Sequence, residues 1–108
     1  MARIALLCPD LLFGSRVEGA LRAAGHEVER VESAAEASQA ELLVIDLTAE
    51  AEKRLDGVGA GDLPPTLAFY SHVEQDVRRL AVEAGVGKVV PRSRMAREAA
   101  ALAEGMLR

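Results

Sequence analysis

The stretch Glu41-Leu42-Leu43-Val44-Ile45-Asp46-Leu47 limits the fold of this chain more than any other. Leu42 to Ile45 form an unbroken apolar run that leads straight into one carboxylate, Asp46. A short continuous apolar run reads as a strand buried on both faces, the kind found in the middle of a parallel sheet. Asp46 then falls at the carboxyl end of that strand, the edge of an open α/β sheet where ligands and chemistry sit. Arg3 to Cys8 is a second run of the same type. Val28 to Val31 alternates polar and apolar residues and predicts a half-exposed edge strand. Thr66 to Tyr70 and Lys88 to Val90 supply two more strands.

Between the strands the apolar period becomes helical. Pro9-Asp10 stops the first strand, and Asp10 is placed to cap a helix from about Leu11 to Ala24 by accepting from its free first-turn N–H groups. Phe13, Val17, Ala20, Leu21 and Ala24 form the inner face of that helix, Gly14 and Gly19 weaken it slightly, and Gly25 ends it. The residues from 32 to 41 are too few for more than one or two helical turns, within Ser33 to Gln39. Thr48 to Leu55 reads as a short helix with a Glu50–Arg54 pair at i,i+4. Gly57, Gly59 and Gly61 spell a Gly-x-Gly-x-Gly loop, but it neither follows a strand nor opens a helix, as a dinucleotide fingerprint requires. Pro64-Pro65 sets the entry into the next strand.

Ser71 and Glu74 have the spacing of a capping box. The helix they open would turn Val73, Val77, Leu80, Ala81 and Ala84 inward, and Gly85 would end it. Pro91 ends the last strand, Ser93 is placed to cap, and Arg94 to Arg108 is a final helix with Met95, Ala99, Leu102 and Met106 inward. Strands and helices thus alternate five times, which implies a parallel sheet with helices on both faces. Right-handed crossovers leave few ways to arrange it.

With 108 residues, half of them apolar, the chain suits one packed domain. Phe13, Phe69 and Tyr70 are its only aromatic residues, so the core must be aliphatic. A net charge of -4 argues against a nucleic-acid module. The single Cys8 has no internal disulfide partner, which points to the cytoplasm. No leader-like segment opens the sequence, and no apolar run approaches the ~20 residues that cross a bilayer.

With Ile45-Asp46-Leu47, Tyr70-Ser71, Ala84-Gly85-Val86-Gly87 and Val90-Pro91-Arg92-Ser93 in place, the whole chain resembles a response-regulator receiver domain. The resemblance implies a flavodoxin-like three-layer sandwich, a five-stranded parallel sheet in the order 2-1-3-4-5, and a short second helix. It implies one receiver-like domain over residues 1–108 with no output domain. It also implies Asp46 as phosphoacceptor, Ser71 as switch residue and Arg92 near the position of the family's Lys. Asp46 and Asp10 would hold Mg²⁺, whose charge assists phosphoryl transfer.

Departures from the pattern cluster at that metal. Cys8-Pro9 stands where the family has two acidic residues, and Asp10 comes one residue late. Proline offers no side-chain ligand, and a neutral thiol is a poor one for Mg²⁺. Arginine is planar and bulkier than lysine, so Arg92 is not a simple substitute. The expectation is a degenerate, pseudo-receiver-like module of two-component type. It would signal by protein binding with impaired or absent aspartyl phosphorylation, and it would not be an enzyme.

Other readings stand beside this one. Asp46 would serve equally to cap the helix near Thr48 or to pair with Arg92, Ser71 serves the capping box, and a loop His72 is exposed by default. Cys8 resembles the phosphocysteine of sugar-phosphotransferase IIB domains, which would make the chain a phosphocarrier or small enzyme. Such a site needs backbone N–H groups around the phosphate, and here Pro9 removes one and Leu11-Leu12-Phe13 is apolar. A buried structural cysteine is the simpler reading. A third alternative is a non-signalling oligomerisation domain, a homodimer through the fourth or fifth helix. The expected partner face is the fourth helix, fifth strand and fifth helix, which carry Arg78, Arg79, Lys88, Arg92, Arg94 and Arg97. Glu74, Asp76, Glu83 and Glu98 are placed to neutralise it.

Overall fold

The computed structural model describes residues 1–59 and 62–107. Gly61 of the glycine run and Arg108 of the final helix lie outside the described residues. Strands β1 (Arg3–Leu7), β2 (Glu27–Arg30), β3 (Leu42–Asp46), β4 (Thr66–Tyr70) and β5 (Lys88–Pro91) form one parallel sheet in the order β2-β1-β3-β4-β5. Helices α1 (Leu11–Ala23), α2 (Ala51–Leu55), α3 (Gln75–Glu83) and α4 (Arg92–Met106) alternate with them, and a 3₁₀ turn (Ala34–Ala37) stands for the second helix. The helices expected fourth and fifth are therefore α3 and α4. Sheet order and layers are those expected from the sequence. No described helix is long and apolar enough to cross a membrane.

Continuous apolar strands follow from burial on both faces. Ile4, Leu6, Leu42, Val44, Leu67 and Phe69 pack under α1 and α4. Ala5, Leu7, Leu43, Ile45, Ala68 and Tyr70 pack on the other face, under the 3₁₀ turn, α2 and α3. The register sets Leu7 of β1 against Ile45 of β3, and Asp46 against Phe69 of β4. That brings the residues after β1 alongside the end of β3, where the site lies.

Several boundaries differ from expectation, each for a local reason. Asp10 does cap α1, its carboxylate accepting from the Phe13 N–H at 2.9 Å. The buried stripe of α1 runs through Phe13, Gly14, Val17 and Leu21, while Ala20 and Ala24 are exposed. It is rotated toward Gly14 because the Arg30 guanidinium from β2 lies there, in the space a Cβ would fill. Helix α2 starts at Ala51 rather than Thr48. Asp46 holds Thr48 in a side-chain turn, and Glu50 takes a left-handed φ of 50°, so the helix cannot run further back.

Ser71 does not cap α3. The Glu74 N–H is committed to the Ser71 carbonyl at 2.9 Å, so residues 71–74 close as a backbone turn and the helix begins at Gln75. Val73 is left exposed on that turn. Ser93 lies inside the first turn of α4 rather than at its cap, because Pro91, with φ -64° and ψ 150°, already makes the entry. Buried His26 ties the start of β1 to the end of α4. Its Nδ1 accepts from the Ala2 N–H at 3.1 Å, and its Nε2 lies 3.7 Å from Glu104.

Candidate functional site

Asp46 ends β3 and is buried, 3% exposed. One carboxylate oxygen, Oδ1, accepts from the Thr48 N–H at 2.8 Å and the Thr48 hydroxyl at 2.6 Å. The other, Oδ2, faces the Arg54 Nη1 at 3.5 Å and the Cys8 thiol at 3.6 Å. Arg54 also donates to the Asp46 carbonyl at 2.9 Å, and its Nη2 lies 3.8 Å from Glu50. The turn at Thr48 and the single helical turn after it carry Arg54 back over the strand end. Both oxygens of the expected phosphoacceptor are thus engaged from within the chain.

Cys8 donates its thiol to this carboxylate. Burial, and next the negative charge of Asp46, push the thiol up to about 12. At physiological pH it is a neutral hydrogen-bond donor rather than the thiolate that nucleophilic chemistry uses. Arg30 donates to the Cys8 carbonyl across Gly14 and lies 3.3 Å from Glu18. The hydrogen bond from Arg22, which outweighs the partial burial of Glu18, and then the one from Arg30 hold that carboxyl below its ordinary range.

The residues present do not fit the Mg²⁺ that the resemblance implies. Asp10 gives Oδ1 to the Phe13 N–H, and its Oδ2 lies 3.6 Å from Arg92. The two carboxylates expected to share an ion are each paired with an arginine instead. Among the described residues no three His, Cys, Asp or Glu side chains converge as a ligand group. Mg²⁺ demands near-octahedral oxygen ligation, and one paired carboxylate beside a protonated thiol does not supply it.

Arg92 meets Asp10, not Asp46, which corrects the pairing anticipated across the strand ends. Its guanidinium lies over the Phe13 ring at 4.1 Å, and that ring in turn packs on Phe69 with centroids 5.1 Å apart. Arg92 and Ser71 do meet, in the lining of an open cavity of about 510 Å³ that neither Asp46 nor Asp10 lines. Arg16, His72 and Ser93 complete its polar side, and Leu12, Phe13 and Ala96 its apolar side. A larger cavity of about 940 Å³ opens between Cys8, Val31 and Arg54, with Arg30, Lys53, Glu32 and Asp56 among its charged residues.

On the expected partner face three of the arginines lie beside an acid of the same face. Arg79 lies 3.2 Å from Asp76, and Arg94 and Arg97 lie 3.5 and 3.7 Å from Glu98. Sequence reasoning offered Asp46 as a cap near Thr48, which its bonds to Thr48 resemble, but missed Arg54 as its ionic partner and Arg30 as the reason for Gly14. The one signal for Arg54 was its i,i+4 spacing from Glu50, which reads as an ordinary surface pair.

No family model matches the chain, and no curated protein sequence does. Solved structures do. A response-regulator signal receiver domain from Bermanella marisrubri superposes with a TM-score of 0.81 at 14% identity, over 98% of both chains. The phosphorylated cyanobacterial phytochrome response regulator RcpA gives 0.78 at 17% identity, over 98% of this chain and 94% of the other. NtrX from Brucella abortus, in complex with ADP, gives 0.80 at 19% identity over 98% of this chain. This chain spans only 27% of that longer protein. At such identities the likeness establishes the fold, and the fold is that of a receiver domain.

Proposed function

We propose that this is a receiver-fold interaction module of two-component type in which Asp46 does not accept a phosphoryl group. The observation that carries the reading is the Arg54 guanidinium 3.5 Å from Asp46 Oδ2, with the Cys8 thiol 3.6 Å from the same oxygen. A carboxylate attacks phosphorus through a free oxygen, and the transferred group's charge must be neutralised as it moves. Here one oxygen holds Thr48 and the other holds an arginine and a thiol. Among the described residues no second carboxylate is aimed at the same point. Signalling then rests on what the surface binds. The solved neighbours named as response regulators support the two-component assignment. A phosphocarrier role for Cys8 is the weaker reading, since a thiol held near 12 is not the thiolate such chemistry uses.

Two measurements test the proposal. In a titration with Mg²⁺ and beryllofluoride, the amides of Asp46, Ser71 and Arg92 are expected not to shift. After incubation with acetyl phosphate, intact mass is expected to show no phosphoryl adduct. A base-labile adduct that vanishes in Asp46→Asn would overturn the proposal, and one that vanishes in Cys8→Ser would move the chain to the phosphocarrier reading.

A further inference from the structure

We infer that the cavity of about 940 Å³ above the carboxyl ends of β1 and β3 is a small-molecule site, and that its ligand is a protonated primary or secondary amine with an apolar body. This site lies beyond the binding-module reading and does not depend on it.

The fold opens this cavity for two reasons. The strand order β2-β1-β3-β4-β5 sends the chain after β1 toward β2 and the chain after β3 toward β4. The two connections leave opposite faces of the sheet, α1 on one and α2 on the other. Connections that diverge in this way leave a crevice between them, and open α/β sheets bind small ligands there. The crossover from β2 to β3 is also too short for a helix. Its 3₁₀ turn spans only Ala34–Ala37, and Val31 and Ala34 line the cavity together with Leu7 and Cys8. Those four residues are buried and give the cavity an apolar floor. The volume falls within the ~300–1,000 Å³ of small-molecule sites.

Charge decides the head group. The bases of the lining are already held by acids. Arg54 lies against Asp46 and Glu50, Lys53 lies 3.7 Å from Glu50, and Arg30 lies 3.3 Å from Glu18. Glu32 and Asp56 line the same cavity, are exposed, and make no ion pair among the described residues. With Glu18 and Asp46 included, three bases stand against five acids, so the uncompensated charge of the site is negative. None of Phe13, Phe69 and Tyr70, the aromatic residues of the chain, lines the cavity. A quaternary ammonium is recognised through aromatic faces, whereas an ammonium with N–H donors bonds directly to carboxylates. The head group is therefore a primary or secondary amine. Leu11, 78% exposed, belongs to the same lining, and an apolar body would cover it along with the floor. A bare inorganic cation would leave that apolar surface in water.

The test titrates the whole chain with phenethylamine and follows the backbone amides by NMR. Three control compounds each change one feature. Hydrocinnamate keeps the body and reverses the charge, phenethyltrimethylammonium keeps body and charge without an N–H, and methylamine keeps the head group without the body. Phenethylamine is expected to shift the amides of Cys8, Val31, Ala34 and Gly57 saturably, and each control to bind about fivefold or more weakly. Replacing both free acids, by Glu32→Gln with Asp56→Asn, should weaken the amine by about fivefold or more, with the melting temperature of the double variant confirming an intact fold. The absence of saturable shifts would overturn the inference, as would shifts spread over the acidic surface instead of those amides. So would any control that binds within about twofold of phenethylamine, or a double variant that binds it within about twofold of the natural chain.

Discussion

Replacing Arg54 by Met keeps most of the apolar stem and removes the one cation beside Asp46 among the described residues. Removing one partner of a buried ion pair costs about 3–5 kcal/mol, chiefly because the other charge stays buried and unpaired. The cost here is smaller for three reasons. The 3.5 Å contact is longer than a charge-assisted hydrogen bond, Asp46 keeps both bonds from Thr48, and the Arg54 side chain is 12% exposed. Against that, the 2.9 Å bond to the Asp46 carbonyl is lost as well. A net loss of about 2–3 kcal/mol is expected, out of a total of roughly 5–15 kcal/mol for a small domain.

Asp46→Asn should cost less, about 1 kcal/mol. Its amide oxygen still accepts from Thr48, and Arg54 retains Glu50 and the main-chain carbonyl. The double variant should therefore lie well above the sum of the singles, with a coupling of about 1–2 kcal/mol. Urea unfolding followed by far-UV circular dichroism reads all four proteins, and the melting temperature of Arg54→Met should drop by on the order of 10–20 °C. Added Mg²⁺ should not restore it, because a single carboxylate and a neutral thiol are no ligand set. An Arg54→Met cost below about 0.5 kcal/mol, or singles that add within about 0.5 kcal/mol, would refute the pairing.

Cys8 gives a pH dependence of definite sign. Its thiol titrates at about 12 in the folded protein against an ordinary 9.0, so the unfolded state loses the proton first. Stability from this group is complete below pH 9 and falls as the pH rises toward 12, by up to about 1.4 kcal/mol per pH unit. In urea titrations from pH 8 to 11, Cys8→Ala should lack that slope, and an equal slope in both proteins would contradict it. Gly14→Ala should be near neutral in the natural chain, because the helix gains about 0.5–1 kcal/mol while Arg30 is displaced from the Cys8 carbonyl. Introduced into Arg30→Ala, the same change should stabilise by about 0.5–1 kcal/mol, measured by the same unfolding.

The sheet was legible because strands buried on both faces leave unbroken apolar runs, and Leu42 to Ile45 and Thr66 to Tyr70 are such runs. Asp10 as a cap and Gly25 as a terminus were legible too, since each depends on neighbours only a few residues away. Asp46 at the sheet edge followed from the strand, but the choice of its cation did not. Arg54 and Arg92 were both within reach on the sequence, and the outcome was set by a left-handed residue at Glu50 and by a phenyl ring that captured Arg92. Ser71 and Glu74 satisfy a capping motif that the backbone then uses as a plain turn. A motif counts side-chain options and is blind to a main-chain carbonyl that reaches the same N–H first. The rotation of α1 toward Gly14 was hidden for a similar reason, because it depends on Arg30, a residue of another element.

A tethered cation and a dissolved one behave differently at a carboxylate. Mg²⁺ binds from solution, so its occupancy varies and its departure leaves an oxygen free. Arg54 is three residues past the start of α2 and is held by a second bond to the Asp46 main chain, so its local concentration never falls. In the proposed module, neutralising Asp46 from within would remove the variable that phosphoryl switching modulates, and the carboxylate would serve as a structural pin between β3, α2 and the end of β1.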